Sequence, residues 1–253
     1  MKKLFILLSF SSLTIITAQA QGLKGFMKKV AGDSSAKTTI GSVLNGNSNA
    51  GGAGLSTATI ANGLKEALQV GAEKGTAKLS SADGFFRDAA IKILMPDEAK
   101  KVEQKLRSIG LGSQVDNAIL SMNRAAEDAA KSATPIFINA IKQMSIQDAA
   151  GILRGGDFAA TEFLKGKTTT DLTAAFRPVI EESLAKVGAT KYWNSVFSTY
   201  NKFSADKVNT DVSAYVTEKA LAGIFHEVAL QEQKIRKDPA AQTTDLLKQV
   251  FSK

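Results

Sequence analysis

DVSAYVTEKALAGIFHEVALQEQKIRK, residues 211–237, settles the class of fold. Val212, Val216, Ala220, Ile224 and Val228 recur every four residues, with Tyr215, Leu221 and Phe225 beside them. Steps of four keep side chains on one side of a helix that turns about every 3.6 residues, so this is a long helix with a broad apolar face. Such a face has to be covered by further helices or a sheet. The helix is expected to be the longest of the chain, about Asp211 to Lys237, and Asp238-Pro239 ends the run. Glu232, Arg236 and Lys237 near its end read as a solvated charged face, with Arg236 close enough to Asp238 to clamp the closing segment.

Upstream the pattern stays helical. Ile60, Leu64, Leu68, Gly71 and Gly75 follow three- and four-residue steps. Each of those glycines costs about 1 kcal/mol relative to alanine in a helix, which close approach of another backbone would justify. After a break at Ser80–Gly84, the Ile91–Leu94 stretch reads as extended before Pro96. Pro96 opens a helix that closes at Gly110. Ser113-x-x-Asp116 reads as a cap for the next, with stripe Val115, Ile119, Met122, Ala126, Ala129 and Ala133. Ser132–Pro135 interrupts, and Ile136–Met144 forms a short helix. Ser145-x-x-Asp148 caps a helix that stops at Gly155-Gly156, Asp157 caps its successor, and Thr168-x-x-Asp171 repeats the start signal. Pro178 marks a kink or a new first turn. Thr190 starts an aromatic segment, Ser204–Thr210 is a loop, and Thr244–Phe251 closes the chain as a short helix. With no repeat and no βαβ alternation, residues 55–253 are expected to form an all-α, single multi-helix, bundle-like domain.

What precedes that domain has another character. Residues 1–20 read as a signal peptide: Lys2 and Lys3, an apolar run from Leu4 to Thr17 too short to span a bilayer, and Ala18-Gln19-Ala20 as a cleavage pattern. Residues 21–54, with GDSSAKTTIGS and NGNSNAGGAG, read as a flexible Gly/Ser/Asn-rich tether that has too little apolar surface to fold. The expected destination is the bacterial periplasm or beyond, as a soluble secreted protein. Zero cysteines exclude a lipidated start and a disulfide scaffold. The formal charge of +8 includes Lys2 and Lys3, and much of the remainder sits in Lys24, Lys28, Lys29 and Lys37 against Asp33 alone. Beyond the tether no dense basic face is indicated, so no nucleic-acid partner is expected. Lys24, Lys28 and Lys29, interleaved with Leu23, Phe26, Met27 and Val30, suit either weak contact with an anionic membrane surface or a transient helix.

Several segments carry a resemblance. IANGLKEAL at 60–68, DGFFRDAAIKILMP at 83–96, MNRAAEDAA at 122–130, FINAIKQMSIQDAAGILRGGDFAAT at 137–161, YVTEKALAGIF at 215–225 and IRKDPAAQTTDLLKQVF at 235–251 span the chain after the tether in order. Together they resemble an exported bacterial family catalogued as domain of unknown function 4197. Thr59 stands where that family usually has an acidic residue just before the first segment. The resemblance implies an exported helical domain with no assigned activity, and it brings no catalytic residues.

Exclusions narrow the chemistry further. His226 is the only histidine and sits mid-helix as a surface or packing residue, so Cys/His zinc sites and di-iron His ligands are absent. No G-x-S-x-G turn, P-loop or dinucleotide fingerprint occurs, and no cofactor, metal or catalytic residue is assigned. Three constellations remain. Asn123, Arg124, Glu127 and Asp128 share one helix and form either a network that fixes its register or a ligand site. Arg154-Gly155-Gly156-Asp157 precedes a helix whose free N–H groups suit an anion, unless Asp157 caps them. Tyr192, Trp193, Phe197 and Tyr200 make either core or a groove for a sugar, peptide or lipid.

The leading expectation is a non-enzymatic exported protein that binds an envelope protein or a small apolar or anionic ligand between helices. It predicts that the aromatic cluster and the Gly71–Gly75 face expose an apolar patch. The alternatives are a hydrolase of envelope glycan using Glu127 with Asp148 or Glu162, which needs two carboxylates about 5–10 Å apart in one cleft, and membrane-surface association through the tether.

Overall fold

A computed structural model describes residues 56–204, 207–238, 241, 242 and 248, within one compact unit, Gly54–Lys253. The expected signal peptide, the tether with Lys24, Lys28 and Lys29, and most of the expected closing helix lie outside the described residues. Eight α-helices follow in order: α1 Thr57–Leu79, α2 Lys100–Ser108, α3 Gly112–Ala130, α4 Ala133–Gln143, α5 Ile146–Arg154, α6 Ala159–Lys186, α7 Ala189–Phe203 and α8 Val212–Lys237. The class is all-α, as the four-residue spacing in 211–237 requires.

The apolar face of α8 is buried along its length, from Val212 through Val216, Ala220 and Ile224 to Val228. It packs on α6 and α1, α3 packs on α6, and α4 and α5 close over α1. Phe137 of α4 meets Phe225 of α8 edge to face, with ring centroids 6.0 Å apart. Two of the three glycines of α1, Gly71 and Gly75, are explained by this arrangement. A methyl group at Gly71 would stand 3.4 Å from Ile235, and one at Gly75 3.3 Å from Glu227, so α1 and α8 approach closely there. The expected exposure of that face is therefore corrected: Gly71 and Gly75 are buried against α8. On α8, Gly223 makes room for a different neighbour, Phe85. A methyl there would lie 2.5 Å from the Phe85 ring, which fills the space the glycine leaves.

Between α1 and α2 the chain forms a strap, residues 80–96, made of turns and then an extended stretch. Pro96 is followed by a 3₁₀ turn, Asp97–Ala99, before α2 begins. Gly110, at φ 84°, ends α2 as expected: its N–H bonds the Arg107 carbonyl and the Leu111 N–H bonds the Leu106 carbonyl, the two bonds of a Schellman turn. That turn delivers the chain directly into α3. Ser113 therefore falls inside the first turn and caps nothing, while Asp116 pairs with Arg107 at 2.8 Å.

Two start signals lie inside α6. Thr168 is buried within it and its hydroxyl donates to the Leu164 carbonyl, and the helix also runs through Pro178. A threonine that bonds back to its own helix needs no cap position, which is how the pattern misleads. At 28 residues α6, not α8 at 26, is the longest helix described. By contrast the Ser145–Asp148 capping box is present in full at the start of α5.

Candidate functional site

Asn123 lies in the middle of α3 and is completely buried. Its Oδ1 accepts from the Ile93 N–H at 2.9 Å, and its Nδ2 donates to the Ile93 carbonyl and the Ile119 carbonyl, each at 2.8 Å. One side chain thus pairs with both backbone groups of a strap residue, as a neighbouring strand would. Glu127, one turn on, is 4% exposed. Its Oε1 accepts from the N–H groups of Phe85 and Phe86, and its Oε2 from Arg124 at 2.6 Å. Arg124 also holds Asp83, a residue in the left-handed region at φ 67°. Asp128 turns away to Lys131 and Ser183. Asn123, Arg124 and Glu127 are brought together, and every one of these groups is spent on holding the strap. Among the described residues no buried side-chain nitrogen or oxygen lacks a partner.

The second constellation is occupied from within. Asp157 does not cap α6; Phe158 holds the cap position without a side-chain bond, and the Asp157 carboxylate pairs with Lys237. The anion at this helix start is Glu232 of α8. Its carboxylate accepts from the N–H groups of Ala160 at 3.0 Å and Thr161 at 2.8 Å, and from the Thr161 hydroxyl at 2.7 Å. Arg236 closes the arrangement, bonding Glu232 and the Ile152 carbonyl at the end of α5. Gly155 and Gly156 lie at the α5–α6 turn, and neither bonds the carboxylate. The solvated charged face expected at Glu232 and Arg236 is thus corrected: the pair is buried because two free N–H groups and a carbonyl need it there.

The aromatic constellation divides. Trp193 and Phe197 are buried, their ring centroids 4.5 Å apart, and the Trp193 Nε1–H donates to the Asn209 carbonyl. Tyr200 is half-buried against the core, and Tyr192 is 71% exposed. Trp193 and Phe197 form one wall of a groove of about 410 Å³ whose other walls are Leu106 of α2, Val115, Ala118 and Met122 of α3, and Met95 of the strap. Tyr192, Val196 and Val187 stand at its margin with Gln114, Asn117 and Ser121. At the residue before Met95 the strap is pinned a second time. The Tyr215 hydroxyl of α8 donates to the Leu94 carbonyl at 2.8 Å, and burial pushes that phenol up to about 12. Met95 therefore follows two consecutive anchored residues, Ile93 and Leu94.

The groove is an apolar receptacle in the size range of ligand pockets, with polar groups only at one rim. Met95, Leu106 and Val187 escaped the reading of the sequence, and Val115 was read only as part of the α3 stripe, because each lies in a different element and nothing local links them. The carboxylates proposed for hydrolysis do not share a cleft. Glu127 is consumed under the strap, and Asp148, besides its capping bonds, lines a small polar cleft with Asn139, Lys167 and Asp171 that includes neither Glu127 nor Glu162. Among the described residues no three His, Cys, Asp or Glu side chains converge as metal ligands, and no helix is long and apolar enough to cross a membrane. Among known proteins, a family model described as a protein of unknown function, DUF4197, matches residues 54–252. No curated protein and no solved structure matches the chain.

Proposed function

The chain belongs to the DUF4197 family, and we propose that it is an exported, non-enzymatic binding protein of the bacterial envelope that holds an apolar ligand between α2, α3 and α7. The observation that carries this reading is the groove of about 410 Å³, walled by Trp193, Phe197, Leu106, Val115 and Met95. Side chains of that kind give little to a sugar and much to an acyl chain or an apolar peptide side chain, because each methylene removed from water contributes about 0.8 kcal/mol. Export rests on the leader read in residues 1–20 and on the family resemblance.

Trp193 is the only tryptophan in the chain, so its fluorescence reports on the groove alone. Titration with a brominated fatty acid is expected to quench it saturably. Ala118→Leu, which places extra carbon in the groove from a half-buried position on α3, is expected to weaken that quenching about tenfold or more while the melting temperature stays within a few degrees. Absence of saturable quenching in the unaltered protein, or quenching indifferent to Ala118→Leu, would remove the groove from consideration.

A further inference from the structure

We infer that α7 is a membrane-contacting helix, whose open face lies on an anionic phospholipid surface. The sequence of α7, ATKYWNSVFSTYNKF, contains no acidic residue. Only Trp193 and Phe197 are buried in it. With about 100° between successive residues, Tyr192, Val196, Tyr200 and Phe203 fall in one arc of about 80° beside that buried pair. At its two ends the arc is open: Tyr192 is 71% and Phe203 88% exposed. Val187, just before the helix, adds another exposed apolar side chain. A contiguous strip of large apolar groups, unlike scattered single ones, marks a contact face.

Charge says what the contact is. Lys191 and Lys202 flank the arc on its solvent side, exposed and without an ion pair among the described residues. Lys207 follows the helix, its ammonium on the Asn201 carbonyl. Among the described residues, the carboxylates of Glu181 and Asp211 stand beside Thr190 and Asn194 on the opposite flank of α7, and both are paired with Arg177; Asp206 lies outside the described residues. Among the described residues the open face is therefore aromatic and apolar along its centre, cationic along its margin and without a carboxylate. Aromatic rings at headgroup depth and lysines reaching to lipid phosphates are the pattern of a helix lying in a membrane interface. A protein partner would call for directional hydrogen-bonding groups among the apolar ones, and on this arc the tyrosine hydroxyls alone offer them. Tyr192 and Val196 also form the margin of the groove. An acyl chain can then pass from bilayer to groove without crossing water, a consequence that rests on the binding function proposed above.

Cosedimentation of the whole chain with vesicles tests the contact. Binding to vesicles containing phosphatidylglycerol is expected to exceed binding to phosphatidylcholine vesicles by about tenfold at moderate salt. Lys191→Gln with Lys202→Gln is expected to reduce it about tenfold, and Phe203→Ser several-fold. All three positions are exposed, so the melting temperature should hold. Equal binding to the two vesicle types, no binding, or variants that bind as the unaltered chain does would overturn the inference, the last assigning contact to the basic segment at Lys24–Lys29. A dimer that Phe203→Ser converts to monomer would also overturn it, in favour of a second copy on α7. Fatty-acid quenching of Trp193 separates the two readings. Lost vesicle binding with quenching retained in the lysine variants supports both; vesicle binding without any quenching leaves α7 on the membrane and rejects the groove.

Discussion

At the scale of single residues, the strap shows how far a side chain can stand in for secondary structure. Among the described residues no strand runs beside Ile93, yet its N–H and carbonyl are both satisfied by the Asn123 amide. Asn123→Ala would leave those two groups buried without partners and free the Ile119 carbonyl. A loss of about 3 kcal/mol or more is expected, measurable by urea denaturation. Because Met95 is two residues on, the same substitution should also shift the emission of Trp193 across the groove, a change that simple destabilisation does not require. The sequence made Asn123 and Glu127 conspicuous as polar residues on an apolar stripe. Their partners were not legible, since backbone groups at 85, 86 and 93 leave no trace in residue identity.

At the scale of elements, legibility follows how local the cause is. The start of α5 could be read because Ser145 and Asp148 satisfy each other within one turn. The place where α6 starts was legible too, just after Asp157, but its capping group was not, because that is Glu232, 71 and 72 residues away along the chain. Aromatic spacing marked Tyr192, Trp193, Phe197 and Tyr200 together as core or groove without separating the buried pair, Trp193 and Phe197, from the others, and the facing wall of the groove depended on how α2 and α3 pack. Glu232→Ala should expose the cost of a distant cap. It removes a buried charge from Arg236 and strands the Ala160 and Thr161 N–H groups, so a loss of about 3 kcal/mol or more is expected. Hydrogen exchange should locate it: the amides of residues 160–163 should speed up beyond the global change, and an effect spread evenly over the helices would contradict the capping role. Glu232→Gln, which keeps an acceptor but not the charge, should fall between.

At the scale of the whole molecule, acid sensitivity is written into the helix caps. The Ala214 N–H, with Arg177 beside it and against the effect of partial burial, holds the Asp211 carboxyl below its ordinary value of 3.8; the Ser145 N–H and hydroxyl do the same for Asp148. A carboxyl lowered in the folded state stabilises fully above its unfolded value and loses that contribution as pH falls through the lower, folded one. Melting temperature is therefore expected to drop below about pH 4. Asp211→Asn keeps the capping acceptor without the titration: it should cost at most about 1 kcal/mol near neutrality and make the acid limb shallower. An unchanged acid limb would place the sensitivity elsewhere. A last consequence belongs to Glu227 and Glu232, which receive Lys78 and the first turn of α6. Synthesis runs from the N-terminus, so α1 and α6 emerge from the ribosome well before the carboxylates that complete them. A nascent chain ending short of α8 has its helices only half anchored, and the native state becomes available late, when the last long helix arrives.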